Sequence, residues 1–111
     1  MSTRQDIIAD EECIRELLLY EKEYAAIRAF EKMRDYFVTN DYLEGYHHCE
    51  IIEYIYLTKH YQEETLCRIA LENHVGERTL YRYRKKYIIC FQFHYKEELN
   101  NEQGGNNSFF P

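Results

Sequence analysis

The sequence is poor in the residues that interrupt helices. It contains one proline, at position 111, and four glycines in 111 residues. Proline lacks a backbone donor and glycine costs conformational entropy, so both are uncommon inside helices. Tryptophan is absent, and twelve tyrosines and six phenylalanines supply the aromatic side chains. The composition predicts an all-α protein, a small helical domain of four to five helices.

Membrane and secretory signals are also missing. No apolar run approaches the ~18 residues that a membrane span needs. The N-terminus leads into a polar helix without the apolar core of a signal peptide. We therefore expect a cytoplasmic protein that does not enter a membrane.

The sequence lacks the motifs of common enzymes and metal sites. The widely spaced cysteines, with no CxxC pair, predict free thiols rather than a disulfide framework. There is no Gly-rich phosphate loop and no nucleophile elbow. Glu44 and His47 have the spacing used in di-iron bundles, but such sites need a second copy of the motif. We predict no enzyme activity, no metal and no cofactor.

Apolar residues recur at helical spacing in the N-terminal third of the chain. Steps of three, four and seven residues indicate an amphipathic helix rather than a strand. It is either one helix to about residue 37 or two helices with a break near residues 21–24. Ser2 or Thr3 can cap it, and Ser2 with Gln5 fits a capping box.

The rest of the chain divides into shorter helices. Turn-forming residues occur at 39–41 and at Gly45. Further helices are predicted at 46–59, at 63–72 and from 77 to 93 or beyond. Residues 100–111 are polar and low in complexity, which predicts a disordered tail. Residues 1–99 therefore form one domain, with acidic helices at 1–45 and a helix-turn-helix part at 46–99.

Positive charge is concentrated on one segment of an acidic chain. The net charge is −6, yet residues 78–87 carry five basic residues and no acidic one. Residues 1–60, by contrast, hold seven Lys and Arg against thirteen Asp and Glu. This asymmetry favours a polyanion as the partner of the basic segment.

The residues before the basic segment fit a helix-turn-helix. Ala70 is small enough for a close helix crossing, and Asn73 and His74 tolerate the positive φ of a reversal. Val75 can fill the angle between the helices, and Gly76 is a tolerable N-cap. Four residues of the second helix are predicted to pack inward, namely Leu80, Tyr83, Tyr87 and Phe91. Arg78, Tyr81, Arg82 and Lys85 are placed on the opposite face, with Arg84 and Lys86 flanking it for phosphate contacts.

Residues 66–70 and 75–88 resemble the helix-turn-helix of sigma factor region 4 and of ArpU/RinA-type phage transcriptional regulators. The likeness covers about residues 46–92, and it departs from the pattern at Asn73 and His74, where Leu-Gly is usual, and at Gly76, where Ser is usual. It implies a DNA-binding transcriptional regulator of bacterial phage or mobile-element type, whose helix from Glu77 reads the major groove of double-stranded DNA. The expected DNA-binding residues are Thr65, Arg78, Thr79, Tyr81, Arg82, Arg84, Lys85 and Lys86.

Two other classes of protein remain open. The chain could be a helical protein-interaction adaptor with a degenerate helix-turn-helix, or a phage terminase small subunit. The N-terminal helices would then supply the contacts, and they are in any case the expected surface for a homodimer or a protein partner. A regulator should lose DNA affinity steeply with salt, whereas an adaptor should not bind DNA.

Overall fold

The computed structural model describes residues 3–45 and 47–108, with side chains up to residue 102. This part of the chain contains five α-helices, one π-helical turn and no strand. They are α1 (Arg4–Arg15), the π-helical turn (Glu16–Tyr20), α2 (Tyr24–Glu44), α3 (His48–Leu57), α4 (Glu63–Glu72) and α5 (Glu77–Ser108). The predicted all-α fold is confirmed. No helix in the described part is both long and apolar enough to cross a membrane.

The first helix begins at a capping box. Thr3 Oγ1 accepts the backbone N–H of Asp6 at 3.1 Å, and Asp6 Oδ2 accepts the N–H of Thr3 at 3.0 Å. This satisfies two of the donors that a helix start leaves without intrahelical partners. The box lies one residue after the predicted pair of Ser2 and Gln5, and Ser2 itself is outside the described residues.

The N-terminal stripe is divided into two helices. Lys22 has a left-handed backbone with φ of 50°. The N–H of Glu23 returns to the carbonyl of Leu17 at 3.0 Å. A left-handed residue commonly ends a helix, and this hydrogen bond spans one residue more than the 6→1 bond of a Schellman motif, with a π-helical turn before it. Of the two predicted alternatives, the break near residues 21–24 is the correct one.

The predicted turn at residues 39–41 is wrong, because α2 continues to Glu44 and ends at the left-handed Gly45. Asp41 has a different role in the last turn of α2. Its carboxylate accepts the backbone N–H of His48 at 2.7 Å and of Cys49 at 2.8 Å. It therefore caps the start of the next helix, α3, rather than forming a turn of its own.

The core lies mainly between α2 and α5, which run antiparallel. Phe37 of α2 meets Tyr87 of α5 edge to face, with ring centroids 4.8 Å apart. Toward the other end, Lys32 reaches Glu98 at 3.1 Å. α1, α3 and α4 pack around this pair. The fully enclosed apolar side chains include Ala26, Ala29, Met33, Ile51, Ile52, Ile55, Tyr56, Leu66 and Tyr87.

The last helix continues well beyond residue 93. α5 extends to Ser108, through most of the polar segment expected to be disordered. The segment predicted to be a disordered tail is thus described as helix up to Ser108, and residues 109–111 lie outside the described part. Extending a formed helix adds one hydrogen bond per residue and needs no new nucleus, so residues of low helix propensity can follow it.

Candidate nucleic-acid interface

The turn between α4 and α5 is tight. His74 adopts the left-handed conformation with φ of 61°. The N–H of Val75 returns to the carbonyl of Ala70 at 2.7 Å, and the N–H of Leu80 bonds to the carbonyl of Gly76 at 2.9 Å. Val75 is 7% exposed and belongs to the core. The predicted reversal thus falls on His74, and Val75 is enclosed as expected.

Asn73 connects this turn to α3. Its side-chain amide donates to the carbonyl of Ile69 at 2.8 Å and to Glu50 Oε2 at 3.0 Å. Its backbone is not left-handed, with φ of −97°. An apolar residue at this position would make neither side-chain bond. The polar side chain therefore fits the turn through hydrogen bonds rather than through apolar packing.

Four cations lie on the outward face of α5. Arg78, Arg82, Lys85 and Lys86 are all exposed. At 100° per residue their positions fall within about 100° of one another around the helix. Within the described part of the chain none of the four forms an ion pair with a carboxylate. Arg82 donates to the hydroxyl of Thr79 at 3.3 Å. These charges are available to an external anion.

Arg84 is not on that face, and its predicted phosphate contact is wrong. Its side chain is 1% exposed. Nε and Nη2 bind the two carboxylate oxygens of Glu11 at 2.9 and 2.5 Å. Nη1 and Nη2 bind Glu63 at 3.1 and 2.6 Å, and Nη2 also donates to the hydroxyl of Tyr61 at 3.2 Å. Position 84 is one turn from Leu80, on the inward side of the helix.

Arg84, Glu11, Glu63 and Tyr61 form a cluster, here called the Arg84 cluster, whose charges connect α1, α4 and α5. Burial alone would lower the pKa of the Arg84 guanidinium, but its hydrogen bonds to Glu11 and Glu63 outweigh burial and raise it. Burial also opposes the charge on Glu63, but the bonds from Arg84 and Tyr61 hold the pKa of that carboxyl below its ordinary value. The guanidinium is therefore always charged and holds the start of α5 against two other helices.

Tyr81 lies at the edge of the outward face and turns toward α1. The guanidinium of Arg4 stacks over its ring, 4.9 Å from the centroid, and Arg4 Nε donates to the Tyr81 hydroxyl. Arg4 also pairs with Glu77 at 2.9 Å. The ring is half-buried. Arg4 thus occupies the hydroxyl and one face of the ring, which disfavours the predicted contact of Tyr81 with a DNA groove.

The two predicted threonines are half-buried. Thr79 lies in the first turn of α5 and accepts the hydrogen bond from Arg82. Thr65 lies in the first turn of α4, which also carries Glu63 and Glu64. Acidic side chains suit the positive end of a helix dipole but repel a phosphate. The setting of Thr65 is therefore electrostatically poor for the predicted phosphate contact.

The predicted inward face of α5 is buried as expected at three of its four positions. Leu80, Tyr87 and Phe91 are 0–2% exposed, while Tyr83 is partly buried against the core. Tyr87 and His48 form a 2.5 Å hydrogen bond through Nδ1. Burial lowers the pKa of His48.

Sequence reasoning overlooked Glu11, His48 and Arg4 as partners of α5. Glu11 is fully buried in an otherwise polar stretch of α1. The helical spacing from Ile7 to Ile14 places it near the apolar face and is the one signal that could have indicated its burial. Nothing in the spacing identifies Arg84 as its partner.

Comparison with known proteins gives no match: no protein-family model, no curated protein and no solved structure is significantly similar to this chain. The geometry of α5 and its neighbours is therefore the basis for any functional conclusion.

Proposed function

We propose that the protein binds double-stranded DNA through the outward face of α5 and acts as a transcriptional regulator. The observation that carries the proposal is a set of four exposed cations that form no ion pair with the side chains of the described residues, namely Arg78, Arg82, Lys85 and Lys86. They are displayed on one helix of a chain whose net charge is −6. Phosphate contacts by Lys and Arg are the main source of sequence-independent DNA affinity.

The roles of the four residues differ by position. Arg78 and Arg82 are near the start of α5, the part of a recognition helix that meets base edges in the major groove. An arginine can bind guanine with two hydrogen bonds there. Lys85 and Lys86 are one turn further along and supply phosphate contacts. Arg84 and Tyr81 support the helix from behind and from the side.

The expected salt dependence follows from the number of cations. Four phosphate contacts give a slope of about −3.6 for log K against log salt. Affinity should then fall ~150-fold between about 50 and 200 mM salt. The measurement is fluorescence anisotropy with labelled duplexes of mixed sequence, titrated at several salt concentrations.

The decisive variant is Arg82→Glu with Lys85→Glu. It should abolish measurable binding, since two attractive contacts become repulsive. The matched control is Arg34→Glu with Lys59→Glu, which changes net charge equally at one position on α2 and one position just after α3. Equal DNA affinity for the two variants would disprove the proposal, as would failure of the unmodified protein to bind any duplex at low salt.

A further inference from the structure

A groove of about 730 Å³ lies between the C-terminal half of α2 and the middle of α5. Its walls include the rings of Tyr36, Phe37 and Phe93 and the side chain of Ile89. Three of these side chains are largely exposed: Tyr36 is 59%, Ile89 65% and Phe93 61% accessible. Clustered exposure of large apolar side chains marks an interaction surface more often than scattered exposure does.

The outward face of α5 has an ordered pattern of charge beside this groove. Arg82, Lys86, Ile89, Phe93 and Glu97 follow one another at steps of four, three, four and four residues. Such steps place them on one stripe of a helix. The stripe is basic at its N-terminal end, apolar in the middle and acidic at its C-terminal end. Glu97 is 49% exposed and contacts His94 of its own helix at 3.3 Å.

We propose that a second copy of this chain covers the groove and the stripe from Lys86 to Glu97, with the two α5 helices antiparallel about a twofold axis. In that arrangement Ile89 packs against Phe93 of the second copy, and Lys86 pairs with Glu97 of the second copy. Each contact occurs twice, as an isologous interface requires. The dimer buries the apolar middle of the stripe and neutralises its ends.

The stripe itself argues for a second copy rather than another partner. A twofold contact needs opposite charges at equal distances on either side of the axis. The midpoint between Lys86 and Glu97 is half a residue from the midpoint between Ile89 and Phe93, less than ~1 Å along the helix. One axis therefore satisfies both the apolar and the charged pairs.

The dimer engages Lys86 but leaves Arg78, Arg82 and Lys85 of the proposed DNA-binding set beyond its apolar centre. At 1.5 Å per residue, the two copies of Arg82 lie about 28 Å apart along the helix axes and the two copies of Arg78 about 40 Å apart. These values bracket the ~34 Å turn that separates paired half-sites in B-DNA. The match to DNA half-sites rests on the proposed function, whereas the proposal of the dimer itself does not depend on it.

The first test is the mass of the protein in solution. Sedimentation equilibrium over a range of micromolar concentrations should give a dimer for the unmodified protein. Phe93→Ser should shift the chain to a monomer, whereas the control Leu71→Ser should not. Leu71 is equally exposed, at 66%, but lies on α4. A monomeric unmodified protein, or equal dissociation of the two variants, would overturn the proposal.

The second test identifies the antiparallel register. Lys86→Glu alone and Glu97→Lys alone should each weaken the dimer about tenfold, because every pair becomes a like-charge pair. The double variant should recover most of that loss, since the charges are exchanged across the axis. A double variant as weak as the single ones would refute this pairing. DNA binding is measured separately on the Phe93→Ser monomer, so loss of the dimer and loss of the DNA function are distinguishable.

Discussion

Arg82 and Arg84 are two positions apart on α5, and the helix turns by about 200° between them. Arg82 extends into solvent and contacts one hydroxyl of its own helix. Arg84 is enclosed by Glu11, Glu63 and Tyr61 from two other parts of the chain. The same residue type therefore provides an external binding charge at one position and an internal connection at the other. Charge in a basic segment has to be assigned residue by residue.

The comparison predicts that the inward arginine is the one on which stability depends. Arg84→Met should lower the free energy of unfolding by about 3–5 kcal/mol, because it leaves the buried Glu11 carboxylate without its partner. Urea denaturation measures this. Adding Glu11→Leu should recover much of the loss, because the uncompensated charge is then gone. A cost below about 1 kcal/mol for Arg84→Met would show that the cluster is not structurally important.

A smaller loss of stability is expected at low pH, through His48 of α3, which contacts Tyr87 on the inward face of α5. Burial lowers the pKa of His48, so protons bind the unfolded chain more readily than the folded one. Stability is therefore complete above the ordinary histidine pKa, about 6.5, and declines as the pH falls below it. Urea midpoints measured across this range should decrease, and His48→Gln should flatten the decrease. An unchanged slope in the variant would rule out His48 as the cause.

A substitution at Tyr81, at the edge of the outward face, should change the free energy of unfolding only slightly. Tyr81→Phe removes the hydroxyl that accepts a bond from Arg4 but keeps the ring under the guanidinium. We expect a loss of about 1 kcal/mol or less in urea denaturation, since Arg4 is largely exposed and such bonds are weak in solvent. DNA affinity should change little, because the hydroxyl does not point outward. A large drop in affinity would instead return Tyr81 to the reading face.

The smallest effect on stability is expected on the outward face itself. Arg78→Gln with Arg82→Gln should change the free energy of unfolding by less than about 0.5 kcal/mol. The same change should reduce the salt slope of DNA binding by about 1.8, or 0.9 for each lost contact. Denaturation and anisotropy on one preparation separate the two quantities. If this variant were destabilised and its salt slope unchanged, the outward arginines would serve stability rather than DNA binding, contrary to the prediction.

The sequence predicts local features well where spacing alone determines them. The bounds of α4, the start of α5 and the inward positions of Leu80, Tyr87 and Phe91 all follow from helical periodicity. The sequence restricts the left-handed residue of the turn to Asn73 or His74, and in the structure it is His74. In these cases the physical cause lies within one or two helical turns of the residue itself.

Prediction failed where the cause lies elsewhere in the chain. Arg84 fits the inward spacing, but its charge predicts a surface position, and its partner Glu11 is 73 residues away. Asp41 resembled a turn residue, yet it caps the following helix. Helical spacing predicts an outward Tyr81, but its contact with Arg4 depends on tertiary packing that spacing does not show. Periodicity gives the direction of a side chain but not the identity of its distant partner.

The Glu11–Arg84 pair also constrains when this protein can complete its fold. Glu11 is synthesised 73 residues before Arg84, so its carboxylate has no buried counterion until Arg84 has been added to the chain. Closing a contact over such a separation costs chain entropy before it is rewarded, which slows folding. The basic helix is thus fixed in position only after nearly the whole domain has been synthesised. An unfinished chain would lack a positioned basic helix.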